Sequence, residues 1–202
     1  MAARHQHIET RTDTASLILD VAERLVQIRG FNGFSYADVA SELQITKAGL
    51  HYHFAGKAEL GEALVARYAA RFAEALAAVD ARVVDAPTKL DAYAGLYGDV
   101  LRDNRMCLCG VLAAEYPTLP APMQGAVVRF FDENEAWLGG VLKHGREDGT
   151  LQFAGSTSEV ARTIISGLEG AMLIARPYGD VERFQKAARR LLAGLASTAP
   201  LS

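Results

Sequence analysis

The chain has 202 residues, 50% of them apolar, and its 21 Lys and Arg against 24 Asp and Glu leave a formal net charge of −3. That is enough for a sizeable core, in one domain or in a small head on a larger body, while a pI near 6.0 argues against a protein that coats nucleic acid non-specifically. Two cysteines cannot staple a secreted scaffold, the opening MAARHQHIETRTD lacks the apolar run of a signal peptide, and no uninterrupted apolar stretch is long enough to cross a bilayer. The expectation is a cytoplasmic chain with reduced thiols.

Leu, Ala, Val, Glu and Arg dominate and no region alternates apolar with polar residues as strands do, so the expected class is all-α. Residues 1–12 have no apolar period and read as a frayed lead, or as an arm whose Arg4 and Arg11 reach DNA phosphate or the minor groove. From Asp13 to Arg29, Leu17, Ile18, Val21, Ala22, Leu25 and Ile28 fall at helical spacing, with Gly30 as the stop. Phe31 and Phe34 follow as core plugs. Ser35 opens a second helix, Asp38 three residues on completes a capping box, and Val39, Ala40 and Leu43 give an inner face. Gln44-Ile45 makes a turn, and Thr46 caps a third helix whose first turns carry Lys47, Ala48, Gly49 and His51, where a recognition helix meets base edges. Between Glu42 and Glu59 there is no acidic side chain, while Lys47, His51, His53 and Lys57 are all present. A local positive surface follows on an acidic chain.

The stretch FNGFSYADVASELQITKAGLHYHFAGKAEL resembles the helix-turn-helix head of the TetR/AcrR family of bacterial repressors. Phe34, Val39-Ala40, Ile45, Leu50, Tyr52-His53-Phe54 and Lys57 carry the likeness, which covers roughly residues 13–65. The resemblance implies an N-terminal three-helix DNA-binding head (1–57, motif about 35–54) and a C-terminal helical ligand-binding and dimerisation bundle (58–202), about nine helices in all. It also implies a homodimeric repressor released from a pseudo-palindromic, double-stranded DNA operator by a small-molecule effector, without enzymatic activity, metal or cofactor. Tyr52 and Lys57 become candidate phosphate contacts, and Thr46, Lys47, Ala48 and His51 candidate base-edge or nearby contacts. Ser35, Tyr36 and Gly49 complete the DNA-binding set. Two departures stand out. Gln44 occupies a turn position where the family often has Gly, costing roughly 1–2 kcal/mol if its φ is positive. His51 stands where the family more often has Tyr, and its donor pattern depends on tautomer.

Rival readings of the same stretch fail on spacing. Gly49 and Gly56-Lys57 are separated by six residues where a phosphate loop needs four, and no Ser or Thr follows the lysine. His51 and His53, two apart on a helix, diverge and have no third metal ligand nearby.

Farther on, a long helix is expected from Gly56 to Val84, broken by Asp85-Ala86-Pro87-Thr88. A fifth runs from Lys89 to Arg105, with Tyr93 and Tyr97 on its core face. The run NRMCLCGVLAAEYPTLPAPM resembles a branch of the family that answers to small electrophiles or unsaturated acids. Cys107 and Cys109 are too close for an ordinary disulfide. They read as buried thiols or as sensing thiols, the latter needing an accessible, electropositive setting. Pro122 to Gly149 is another helix, with Phe130 and the lone Trp137 among its apolar residues. Tyr93, Tyr97, Cys107, Phe130, Trp137 and Met172 are the candidate ligand pocket. The helix opened by Ser156 is apolar nearly all round except for Glu169, which reads as a pocket acid or as a partner for Arg189 or Arg190 across an interface. The last helix is expected over Asp180–Ala196. A helix without a wet face must be covered twice, so Ile164, Leu168, Ala171, Phe184, Leu191 and Leu195 are the candidate dimer interface. The alternative class, a helical small-molecule-binding protein or enzyme using the pocket near Cys107 and Trp137, finds no GxSxG, HExxH, GxGxxG or Cys-His-acid set.

Overall fold

Helix-forming sequence with well-placed caps carries this chain almost from end to end. The structure, a computed structural model, describes residues 2–195, and side chains from Thr14 onward. The described residues form nine α-helices: α1 (Ala2–Arg29), α2 (Tyr36–Leu43), α3 (Lys47–His53), α4 (Lys57–Arg82), α5 (Ala86–Arg102), α6 (Leu108–Ala114), α7 (Ala121–Glu147), α8 (Thr157–Ala175) and α9 (Val181–Ala193). Single 3₁₀ turns sit at Tyr116–Thr118 and Arg176–Tyr178. The all-α expectation holds.

Several boundaries differ from the sequence reading. α1 begins at Ala2 rather than Asp13, because a helix nucleated farther along propagates through residues that need only adequate propensity, not an apolar face. The side chains of Arg4 and Arg11, proposed as a DNA arm, lie outside the described residues. α5 begins at Ala86, not Lys89, since Asp85 caps it by accepting from the Thr88 amide at 2.8 Å, with Pro87 in the first turn. Ala196, the expected end of the last helix, also lies outside the described residues.

Packing divides the chain into two compact units. One comprises the chain up to Ala69 together with Leu108–Val127; the other comprises Ala70–Cys107 with the chain from Val128 onward. The first unit retains the start of α4 because Leu60, Leu64 and Val65 are buried there. It recruits residues far along the chain through close contact. A Cβ on Gly61 would lie 2.4 Å from the Met123 sulfur and 2.8 Å from the Phe31 ring. The Glu115 carboxylate also accepts from the Phe31 amide at 2.6 Å. Buried Glu23 is matched by Arg67 at 3.2 Å, which also reaches Asp20 at 2.8 Å.

In the second unit α8 and α9 pack on each other and on α5. Gly167 permits the fit, since a Cβ there would meet Leu191 at 2.7 Å. This corrects the expected dimer face: Ile164, Leu168 and Phe184 are buried inside the protomer, because α5 and α9 cover that side of α8. Ala171, Leu191 and Leu195 are only partly covered. The open stripe of α8 instead runs through Ser166, Gly170, Leu173 and Ile174, with Leu173 59% and Ile174 58% exposed. No described helix is long and apolar enough to cross a membrane.

Candidate nucleic-acid interface and effector core

The interface begins with how α2 and α3 are set against each other. The Asp38 carboxylate accepts from both the amide and the hydroxyl of Ser35, at 2.7 and 2.6 Å, the expected box. The Ser35 hydroxyl is the main cause holding the Asp38 carboxyl below its usual range. Gln44 then turns the chain in the left-handed region, φ 54° and ψ 37°, where a non-glycine residue costs roughly 1–2 kcal/mol. Thr46 caps α3 as expected, its hydroxyl oxygen accepting from the Gly49 amide at 3.0 Å. Leu50 is buried as the anchor of α3. Lys47, Ala48, His51 and Tyr52 are exposed, Tyr52 by 63%. Residues 47, 48, 51 and 52 share one helix face. With no acid between Glu42 and Glu59, that face offers one cation, a small residue and two ring donors or acceptors to a groove.

Two members of the DNA-binding set are tied inward. The Tyr36 hydroxyl donates to the Phe54 carbonyl at 3.1 Å, and burial, then Glu59, pushes its pKa to about 12. Its ring packs against that of His51 at 4.8 Å. Lys57, the expected phosphate contact, donates to the Phe34 carbonyl at 2.6 Å, with its ammonium 4.7 and 4.4 Å from the Phe31 and Phe34 ring centroids. Burial pulls its pKa down, against the pull of Glu115 and Asp38. Lys57 is therefore first a tie that closes the head, with two remaining donors for a phosphate. Arg24 pairs with Glu42 and Arg29 with Asp38 at 3.6 Å.

The expected ligand residues all fall in the second unit, where they meet. Tyr93, Tyr97, Cys107, Phe130 and Met172 are buried. Phe72 stands edge-on to Tyr93, Tyr97 and Phe130, and Trp137 stacks on Tyr93 at 5.7 Å. One polar chain threads this core. Asn134 donates to the Phe130 carbonyl at 2.7 Å, which turns its amide oxygen to accept from the Tyr93 hydroxyl at 3.1 Å. The Tyr93 oxygen must then accept from Tyr97, also at 3.1 Å. Desolvation pushes both phenols up. Asn134 was missed, although it occupies an inward position in the run Val127, Phe130, Asn134, Leu138. A lone polar residue on an apolar stripe was the available signal.

Glu169 belongs to this core. Its carboxylate accepts from the Cys107 thiol, while Oε1 is buried with no partner; burial pushes the acid up to about 7. The Cys107 amide in turn donates to the Met172 sulfur at 3.2 Å. Cys107 is 2% and Cys109 0% exposed, so an electrophile reaches either thiol only when this core opens. Trp137 is only partly buried. Its indole donates to Asp80 at 2.8 Å, and with Asp80, Lys89 and His144 it lines an open cleft of about 260 Å³. Among the described residues no group of His, Cys, Asp or Glu side chains could hold a metal ion.

Residues 18–64 match the family described as bacterial regulatory proteins, tetR family, and residues 86–191 match a tetracyclin repressor-like C-terminal domain. The chain is 31% identical to a TetR-family transcriptional regulator from Agrobacterium tumefaciens, over 93% of this chain and 100% of that one, with a TM-score of 0.89. A TetR transcriptional regulator from Legionella pneumophila is 32% identical over 89% of this chain and 95% of that one, with a TM-score of 0.77. At 23% identity, the reduced form of E. coli NemR shares the fold over 93% of this chain and 100% of that one, with a TM-score of 0.82. A search of curated proteins matched none.

Proposed function

The chain belongs to the tetR family of bacterial regulatory proteins, and on that premise we propose how its parts serve a ligand-responsive DNA-binding repressor. α3 lies in the major groove, where Lys47, Ala48 and His51 meet base edges. Ser35, Thr46, Gly49 and Tyr52 meet the backbone around it. Tyr36 and Lys57 hold the frame, and Lys57 adds a phosphate contact through its spare donors. Two copies associate through the open α8 stripe of Ser166, Gly170, Leu173 and Ile174, so that two recognition helices meet half-sites about one helical turn or a multiple apart. This work is done in the cytoplasm, where bacterial DNA lies. The effector seats among Tyr93, Tyr97, Cys107, Phe130, Trp137 and Met172. It acts by binding more tightly to the dimer that no longer matches both half-sites.

The observation that carries the reading is the exposed, acid-free α3 face of Lys47, Ala48, His51 and Tyr52 on a capped helix-turn-helix. Footprinting on DNA flanking the protein's own gene tests it. A discrete two-fold protected site, lost on adding an effector, is the expected result; uniform or absent protection overturns it.

The hydrogen bond from Cys107 to Glu169 favours a second reading of effector release, in line with the branch that answers to small electrophiles or unsaturated acids. Glu169 takes the thiol proton, sulfur adds to the electron-poor carbon of an activated C=C bond, and the proton passes to the neighbouring carbon. Operator release by a mild electrophile should then survive Cys109→Ser and fail in Cys107→Ser. If both variants release like the parent, the thiols only pack.

A further inference from the structure

We propose that His51 reads an exocyclic amino group, N4 of cytosine or N6 of adenine, in each operator half-site, through a bare Nε2. The inference rests on α3 being the groove helix. Its basis is a bond made inside the head. His51 Nδ1 lies 3.0 Å from the Ala55 carbonyl oxygen, and a carbonyl can only accept, so Nδ1 carries the hydrogen. A neutral imidazole has one N–H, which leaves Nε2 as an acceptor.

The surroundings hold that ring in place. Tyr36 packs against it at 4.8 Å, tilted by 50°, and is itself fixed by its bond to the Phe54 carbonyl at 3.1 Å. The Ala55 peptide that receives the Nδ1 hydrogen is anchored as well, its amide donating to Glu59 at 2.8 Å. The acceptor is thus preorganised, and little rotamer freedom is lost when it meets a base. His51 remains exposed, on the same face as Lys47, Ala48 and Tyr52.

In the major groove cytosine and adenine present amino donors, whereas guanine and thymine present only acceptors and, for thymine, a methyl group. An acceptor without a hydrogen therefore separates amino from keto bases. A tyrosine at this position, with a hydroxyl that donates or accepts, would not. His51 is by this reading a specificity determinant that replaces a permissive contact with a directional one.

The test is selection from a randomised double-stranded DNA library by the full-length protein and by His51→Ala, at pH 8, above the ordinary imidazole range. One position per half-site should favour adenine or cytosine in the parent and lose that preference, about fivefold for one hydrogen bond, in the variant. Replacing the amino-bearing base of the selected pair by the analogue with hydrogen in place of the amino group, purine for adenine or pyrimidin-2-one for cytosine, should cost the parent the same factor and the variant nothing. The selected base tells the two amino sources apart. His51→Gln, which carries donor and acceptor together, should relax the amino preference while keeping affinity. Identical selections by parent and His51→Ala, or a parent whose affinity survives loss of the amino group of the selected pair, would overturn the inference and leave the DNA-binding reading standing. If the parent selects no discrete site, the DNA-binding reading itself fails and takes this inference with it.

Discussion

The recognition helix and the aromatic core of the body treat their polar groups in opposite ways. On α3, polar groups are satisfied on one side by a near neighbour and left open on the other: Thr46 caps the helix, and His51 donates four residues on to Ala55. In the aromatic core of the body, polar groups are enclosed and satisfied by other buried groups, as Tyr93 is by Asn134, or left with an unpaired oxygen, as at Glu169 Oε1. Head groups are thus arranged to meet a polar partner already known in kind, the DNA groove. Body groups carry the cost of burial themselves, which makes them responsive to whatever relieves it.

Glu169 offers the strongest way to break that contrast. Its folded pKa of about 7 lies above the ordinary 4.5, so its contribution is fully present below pH 4.5 and is lost as pH rises through 7. Between those values the unfolded chain ionises first, and stability falls as pH rises. The loss should reach on the order of 2–3 kcal/mol by pH 8. Thermal unfolding followed from pH 5 to pH 8 should show this decline, and Glu169→Gln should flatten it. A parent curve with no decline would mean that the acid is not paying for burial.

Lys57 is the intermediate case, a head residue buried like a body one. Lys57→Ala should cost about 1–2 kcal/mol of stability, through the lost bond to the Phe34 carbonyl and the two ring contacts. It should lower the salt slope of operator binding by at most about one, whereas Lys47→Ala should relax sequence preference at one position of each half-site and leave stability alone. Equal stability of the two variants would erase the distinction between tie and contact.

Gln44 gives the smallest effect and the cleanest sign. Gln44→Gly removes the strain of φ 54° at an exposed turn, offset by a more flexible unfolded chain, and should stabilise by up to about 1 kcal/mol in denaturant unfolding. A loss of stability would show that the Gln44 side chain contributes more than its backbone costs.

The sequence by itself determined the all-α class, the caps at Ser35, Thr46 and Ser156, the left-handed turn at Gln44 and the exposed face of α3. Each of these depends on residues within about four positions of one another, the reach of a helical turn. It also grouped aromatic and sulfur residues that meet in one buried core, because inward positions repeat at helical spacing. Tertiary structure alone decided the rest. Lys57 turns inward because Phe31 and Phe34 wait for it there; Glu169 faces Cys107 because α8 packs against α5 on that side; and Ile164, Leu168 and Phe184 go to the protomer's own core, leaving Leu173 and Ile174 outside. A helix apolar nearly all round announces that it will be covered, but which neighbour covers which stripe is set by packing between elements far apart in the chain.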